Sequence, residues 1–211
     1  TIGGGIGNNS CGAHSVIYGK TSDQVVSLEV VLADGTRTTL APLEGDALTA
    51  RIAQANLEGT VYRETLRIAR DHAEEIAARF PRIQRRVSGY NLDAFTPAAI
   101  RDDAVDLAQL VVGSEGTLAV ITEATVRLVP LPAHRGVAAA HFPSVIAAAA
   151  ATLVALERHP AAVEMVGRRI IEACRARPGF ASLADFVEGD PSALLLIEHF
   201  VADCIRKCLT K

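Results

Sequence analysis

Two glycine-rich stretches hold most of the residues in this chain able to do chemistry. One is Thr1-Ile-Gly-Gly-Gly-Ile-Gly-Asn-Asn-Ser-Cys-Gly12, with no strand before it. The other is Val112-Gly-Ser-Glu-Gly-Thr-Leu-Ala-Val-Ile-Thr122, a loop running into a β-branched strand. Glycine allows a backbone to come close to another group. Runs of Gly and Asn tolerate left-handed backbone, and such turns expose successive N–H groups as an anion-binding nest. Asn8, Asn9 and Ser10 add side-chain donors and acceptors. The competing reading of the first stretch is a tight surface loop with no ligand.

Common phosphate motifs are excluded. A G-x-G-x-x-G pattern starting at Gly3 needs glycine at position 8, which is Asn8. No strand precedes this stretch and its sequence predicts no long helix after it, so it is not a dinucleotide fingerprint. No Gly-Lys-Ser/Thr occurs, which removes the P-loop.

Around these loops lie Tyr90 and Asn91, in the polar turn Val87-Ser-Gly-Tyr-Asn-Leu-Asp93. They read either as groups facing an active site or as a turn packed on the sheet. His14 is either a stacking group beside a bound ring or a solvated loop histidine. Arg82, Arg85 and Arg86 form either an attractor for a carboxylate or a solvated face. No carboxylate–histidine pair is visible in the sequence, so no catalytic base is assigned.

The elements that must position these groups follow from periodicity. The 211 residues are 49% apolar but only 4% aromatic, so the core is built from Ala, Val, Leu and Ile. A formal charge of −3 gives no electrostatic case for nucleic acid. Residues 24–33 predict a strand, Asp34-Gly35 a hairpin turn and Thr36–Leu40 the returning strand. Residues 45–80 predict a helical insertion, capped at Thr60, with Tyr62, Leu66, Ala69, Ala73, Ile76, Ala77 and Phe80 on one face. A short helix is expected at 106–110. Residues 117–129 follow as a strand with Leu118, Val120, Thr122 and Ala124 on one side. Pro130 and Pro132 mark a domain boundary. Beyond it the pattern reads strand (136–142), buried Ala-rich helix (144–158), charged helix (161–176) and strand (192–198), with no strand period from His199 onward. The longest apolar run, 145–156, is too short to span a membrane, since a span needs about 20 residues.

The cysteines are Cys11, Cys174, Cys204 and Cys208. Their spacing is not that of a metal site. Cys204 and Cys208 share a helix face and read as half a metal site or, more simply, as two thiols in a reduced cytosol. With no leader visible, a cytoplasmic location is expected.

The ordered matches Thr1–Gly12, Tyr18-Gly19, Asp23–Gly35 and Gly113–Glu123 resemble the second half of the FAD-binding domain of the vanillyl-alcohol-oxidase (PCMH-type) flavoproteins. Ala119 stands where that family often has glycine. The helical insertion followed by Arg85-Arg-Val-Ser-Gly-Tyr-Asn-Leu-Asp93 is similar to the large FAD-linked oxidases of the D-lactate / D-2-hydroxyglutarate dehydrogenase type. A flavin suits such loops, because it needs donors for its ring acceptors and phosphates and no bulky side chain over the ring. The resemblance implies FAD contacts at Gly4, Asn9, Ser10, Cys11 and Gly12. It implies a second set at Glu115, Gly116, Thr117, Leu118, Val120 and Ile121, with Val120 and Ile121 nearest the cofactor. Cys11 is either a covalent flavin attachment or a small buried thiol.

The expected fold is α+β. Residues 1–131 form the second subdomain of a PCMH-type FAD-binding domain, and 132–211 the start of a ferredoxin-like cap domain. The resemblance implies that the family's first FAD subdomain lies before Thr1 and the rest of the cap after Glu198. Glu164-Met-Val-Gly167 departs from the family's usual Glu-x-x-Asp, so Glu164 is given no role. The expected function is part of an FAD-dependent dehydrogenase oxidising a small D-2-hydroxy acid such as D-lactate or D-2-hydroxyglutarate. The alternative is a non-catalytic remnant or interaction domain that binds no flavin in isolation. Expected partners are the hydroxy acid and either a second copy of the chain or a separate N-terminal half. No metal, nucleic acid or membrane span is expected.

Overall fold

A computed structural model describes residues 1–201; Cys204 and Cys208 lie outside the described residues. The chain divides into two compact units. Residues 1–12 and 19–128 form the first, and residues 13–18 with those from 129 onward form the second.

In the first unit the opening glycines form a short helix, α1 (Ile2–Gly7), rather than an irregular loop. Glycine disfavours helix, but Thr1 caps it by accepting a hydrogen bond from Gly4 N at 3.1 Å, and Ile6 is buried. The helix α2 (Ser15–Tyr18) belongs to the second unit, and α3 (Thr21–Gln24) returns to the first. Then β1 (Val25–Val31) and β2 (Arg37–Leu40) form the hairpin expected around Asp34-Gly35, where Thr36 N donates to Asp34 Oδ1 at 2.9 Å. The insertion holds α4 (Gly45–Ile52), α5 (Leu57–Asp71) and α6 (Ala73–Arg79). Asn56, not Thr60, caps α5, accepting from Gly59 N at 2.9 Å; Asn is a strong cap, and Thr60 lies inside the first turn. Tyr62, Ala69 and Ile76 are buried at helical spacing as expected. A 3₁₀ turn (Leu92–Phe95), α7 (Ala108–Val111) and β3 (Val120–Val126) complete the unit.

The sheet order is β2-β1-β3, antiparallel throughout. Its core face, Val25, Leu28, Val30 and Leu40, packs with Tyr62, Phe95, Leu107, Ala108, Val111 and Val112. The side assignment for β3 needs correcting. Its register shifts where it passes Glu29/Val30, so Ala124 pairs with Leu28 while Ile121 pairs with Val30. One extra residue flips the alternation. Ile121 and Ala124 therefore share the core face, while Val120 is 65% exposed.

In the second unit, β4 (His134–Phe142), α8 (Val145–Leu156), β5 (Ala162–Gly167), α9 (Arg168–Ala176), a 3₁₀ turn (Ala181–Ala184) and β6 (Ala193–Val201) follow in order. The expected single helix over 161–176 is instead a strand abutting a helix. The run Ala162-Val-Glu-Met-Val-Gly pairs with β6, and that tertiary pairing overrides the helical reading. β6 also continues through His199–Val201, where no strand was expected. The sheet order β4-β6-β5 puts the last strand between the two joined by α8, with both neighbours antiparallel to it. This is a split β-α-β arrangement.

The Ala-rich α8 is not buried all round. Ala148 and Ala155 are buried, Ala148 against Ala193 and Leu195, but Val145, Ile146, Leu153 and Val154 are all more than half exposed. The sheet covers one side of a helix that is apolar on every side. No helix among the described residues is long and apolar enough to cross a membrane. Among the described residues, no group of three His, Cys, Asp or Glu side chains could hold a metal ion.

Candidate functional site

The two glycine-rich segments, a hundred residues apart in sequence, meet at the end of α1. Gly113 N donates to Ile6 O at 3.0 Å, and Glu115 N donates to Gly7 O at 2.9 Å. These bonds use the carbonyls that a helix leaves unpaired at its C-terminus. Asn9 fills the junction. It is 1% exposed, has a positive φ of 51°, and its Oδ1 accepts from Ser22 N at 2.9 Å. Its Cβ lies so close to Gly113 that a Cβ added there would meet it at 3.2 Å. Gly113 also has φ of 85°, so both close approach and left-handed backbone demand glycine.

The rim of this junction is Asn8, Ser10 and Gly12 on one side and Glu115, Gly116 and Thr117 on the other, all exposed. Ser10 Oγ donates to Asn8 Oδ1 at 2.6 Å, and Ser10 O accepts from both Thr21 N and Thr21 Oγ1. Cys11 is half-buried and a free thiol. Gly4 is exposed on α1, where an added Cβ would meet Thr1 Oγ1 at 2.9 Å. Leu118 and Ala119 turn inward and line an apolar cavity of about 80 Å³ with Leu32, Leu40, Val61, Leu107 and the buried Glu58. Glu58 is held there by Arg51 and Thr38. Of the expected FAD-contacting residues, the structure thus gathers Asn9–Gly12 with Glu115–Thr117. It turns Ile121 to the core and Val120 to the outside.

Tyr90 and Asn91 serve as a brace for the second loop. Asn91 is 5% exposed; its Nδ2 donates to Gln109 O at 2.9 Å and Val112 O at 3.1 Å. Val112 is the residue before Gly113, so this side chain fixes the entry to the loop. Tyr90 bonds through its hydroxyl to Thr117 Oγ1 at 2.9 Å, fixing the exit, and Thr117 Oγ1 donates to Ser114 O at 2.6 Å. Arg86 holds the brace from behind, donating to Asp93 at 2.6 and 2.7 Å and to Asn91 Oδ1 at 3.3 Å. Its guanidinium also stacks over Phe80 at 5.0 Å. Arg86 is therefore committed to structure, whereas Arg82 and Arg85 lie on the exposed surface.

Burial shifts two groups of this unit, Tyr62 and Asp106. Burial pushes the Tyr62 phenol up to about 12, and its oxygen has no partner. Burial also raises the Asp106 carboxyl, against hydrogen bonds from Ala108 N and Gln109 that lower it. Asp106 Oδ1 accepts from Ala108 N at 3.0 Å, at the start of α7, the helix that feeds the second loop.

His14 is neither a solvated loop residue nor, in its own unit, a bare ring. Its Nε2 is 2.7 Å from Glu198 Oε2 on β6. The carboxylate–histidine pair that the sequence does not show therefore exists, 184 positions apart. No local signal near His14 could have revealed it.

Residues 1–41 match the family model described as FAD binding domain. Over 209 residues the chain is 32% identical to the D-2-hydroxyglutarate dehydrogenase of Pantoea ananatis, covering 96% of this chain and 20% of that protein. The D-2-hydroxyglutarate dehydrogenase of Pseudomonas putida is 29% identical over 206 residues, covering 97% of this chain and 20% of the relative. The D-lactate dehydrogenase of Archaeoglobus fulgidus is 30% identical over 201 residues, covering 95% of this chain and 33% of the relative. Among solved structures, an alkyldihydroxyacetonephosphate synthase superposes with a TM-score of 0.53 at 17% identity, over 94% of this chain and 28% of that one. The chain spans about a fifth of the length of the first dehydrogenases it matches.

Proposed function

We propose that this chain supplies one wall of the flavin site in an FAD-dependent dehydrogenase that oxidises a small D-2-hydroxy acid, such as D-lactate or D-2-hydroxyglutarate. The observation that carries the reading is the junction of Asn9–Gly12 with Gly113–Thr117. The residues present suit the cofactor. Asn9 Nδ2 is a buried donor with no partner, which a ring acceptor would satisfy. A Cβ at Gly12 or Gly116 would meet nothing within 4 Å, so the rim offers open space where a flat ring system needs it.

When bound, FAD supplies the redox chemistry by accepting hydride at its N5. The chain's own part is binding and orientation. Backbone groups of Asn9–Gly12 and Glu115–Thr117 would line the cofactor, and the Asn91–Tyr90 brace would keep the second loop in register. The rigid sheet behind them carries the site, and small displacements of such a scaffold are costly in rate.

The experiment is the absorbance of the purified chain between 350 and 500 nm, before and after excess FAD and desalting. Retained flavin supports the reading, and turnover of D-lactate and D-2-hydroxyglutarate is then assayed. A folded, colourless protein that takes up no FAD favours the rival reading of a non-catalytic association domain. One observation speaks for association: the exposed Val145, Ile146, Leu153 and Val154 on α8. A contiguous apolar face of this kind is a surface for a second polypeptide. Light scattering that returns only monomer would argue against it.

A further inference from the structure

The Asn9 amide is fixed at one end only. Its Oδ1 accepts from Ser22 N at 2.9 Å, while its Nδ2 is a buried donor without a partner. The aim of Nδ2 therefore depends on where the Ser22 backbone sits. Ser22 is buried on α3, and both of its backbone polar groups are held. Its N–H serves Asn9, and its carbonyl accepts from Gln109 Nε2 at 3.0 Å, 87 positions along the chain. Gln109 lies in α7, and its amide has one workable orientation. The groups it faces are both acceptors, Ser22 O and, at 3.4 Å, Asp106 Oδ2, so the NH₂ end must point at them. Gln109 is itself well seated. Its N–H donates to Asp106 O at 3.1 Å, its carbonyl accepts from Asn91 Nδ2 at 2.9 Å, and Leu107, Ala108 and Val111 hold α7 in the core. The same Asn91 amide reaches Val112 O, and Gly113 N reaches Ile6 O in α1. These bonds close a circuit from Asn9 through Ser22, Gln109, Asn91 and Val112–Gly113 back to α1. Every member belongs to the first compact unit.

We infer that Gln109 is a positioning residue for the Asn9 amide, aiming its unpartnered Nδ2 through the Ser22 backbone. The inference rests on the FAD reading above for what Nδ2 serves, and on the hydrogen-bonded circuit for the positioning itself. The last torsion of an asparagine is broad, so an amide without an anchor does not hold one direction. Ser22 N is that anchor, and Gln109 keeps it in place. Without the Gln109 donor, the part-buried Ser22 carbonyl is left unpaired, and α3 gains by shifting to find another partner. Asn9 then loses its fixed end. Asp106, on the approach to α7, is the charged group in contact with the Gln109 amide, and Arg86 stands on the far side of Asn91. Methionine at position 109 keeps the length of the side chain and removes the donor. Glutamate keeps the shape, but offers Ser22 O an acceptor when ionised and a donor when protonated.

The test compares the full chain with Gln109→Met and Gln109→Glu. Two readouts are taken: protection of the Ser22 amide against hydrogen exchange, and the dissociation constant for FAD by fluorescence quenching. The expected result for Gln109→Met is about fivefold faster exchange at Ser22, with the β1–β2 hairpin unchanged and FAD bound more weakly by a similar factor. Gln109→Glu should be at least as impaired at neutral pH, where its carboxylate faces Ser22 O and Asp106. Its protection, taken relative to the unaltered chain at each pH, should recover as acid protonates the new carboxyl. The neighbouring Asp106 makes that recovery begin above the ordinary carboxylate range. Gln109→Met should show no such recovery. A space-filling role for Gln109 predicts instead that Ser22 exchanges at the unaltered rate in both variants. Unchanged Ser22 exchange in Gln109→Met, or no recovery in Gln109→Glu, would overturn the inference. So would faster Ser22 exchange with FAD bound as tightly as before, because Asn9 would then not depend on the circuit. If the unaltered chain takes up no FAD, the flavin reading fails, while the exchange data still decide whether Gln109 positions the Ser22–Asn9 pair. Should Gln109→Met not fold, the pH series on Gln109→Glu carries the same decision.

Discussion

In the opening segment, Gly3, Gly4, Gly5 and Gly7 wind into a helix that most residue types would form more readily. In the second segment, Gly113 and Gly116 hold φ of 85° and 76°, where other residues are strained. In the first set Gly3 and Gly7 face open space, while a Cβ added at Gly4 or Gly5 would meet the Thr1 or Ser10 side chain. Gly113 is there for what lies inside, namely the Asn9 side chain pressed against it. Similar glycine-rich strings thus differ, one winding into a short helix with open space at two of its glycines and the other allowing two pieces of backbone to lock together. A string rich in glycine identifies a close approach, but only the structure shows whether the partner is protein or solvent space.

The sharpest way to break this comparison is substitution at its two ends. Gly113→Ala should cost about 2–3 kcal/mol, because it strains a left-handed residue and pushes on Asn9; chemical denaturation measures it. Asn91→Ala should cost about 2 kcal/mol by leaving buried carbonyls at Gln109 and Val112 without their donor. Its exchange signature should be confined to residues 109–117. At the other end, Gly3→Ala should be neutral or stabilise the free protein by up to about 1 kcal/mol, since the residue is helical and unobstructed. Equal destabilisation at Gly3 and Gly113 would show that the two segments do not differ as described.

The smallest effect concerns Asp106. Its carboxyl is raised by burial, so the folded state holds the proton more tightly than the unfolded state. Its contribution to stability is therefore fully present below the ordinary carboxylate range and is lost as pH rises through the raised value. Asp106→Asn keeps an acceptor for Ala108 N and should flatten that part of the stability–pH profile. An unchanged slope would show that Asp106 does not contribute to it.

Local signals made part of this legible in the sequence. The Asp34-Gly35 hairpin, the helical stripe through Tyr62, Ala69 and Ile76, and the second glycine loop before a β-branched strand all express short-range chemistry. The misreadings have a common cause in long-range contacts. α1 forms because Ile6 is buried and Thr1 caps it, against glycine's own preference. β3 changes faces through a bulge opposite Glu29/Val30, which no alternation pattern encodes. β5 becomes a strand because β6, thirty residues later, pairs with it. His14 finds Glu198 across almost the whole chain. The segments Asn9–Gly12 and Glu115–Thr117 are singled out by the family resemblance, but the brace of the second loop, Asn91 with Arg86 behind it, shows only in the fold.

The most direct test of the two-loop site is hydrogen–deuterium exchange of the full chain with and without FAD. The account predicts added protection in both Asn9–Gly12 and Glu115–Thr117, with none along α8. Protection in neither segment, or in one segment without the other, would contradict a flavin wall built from their junction.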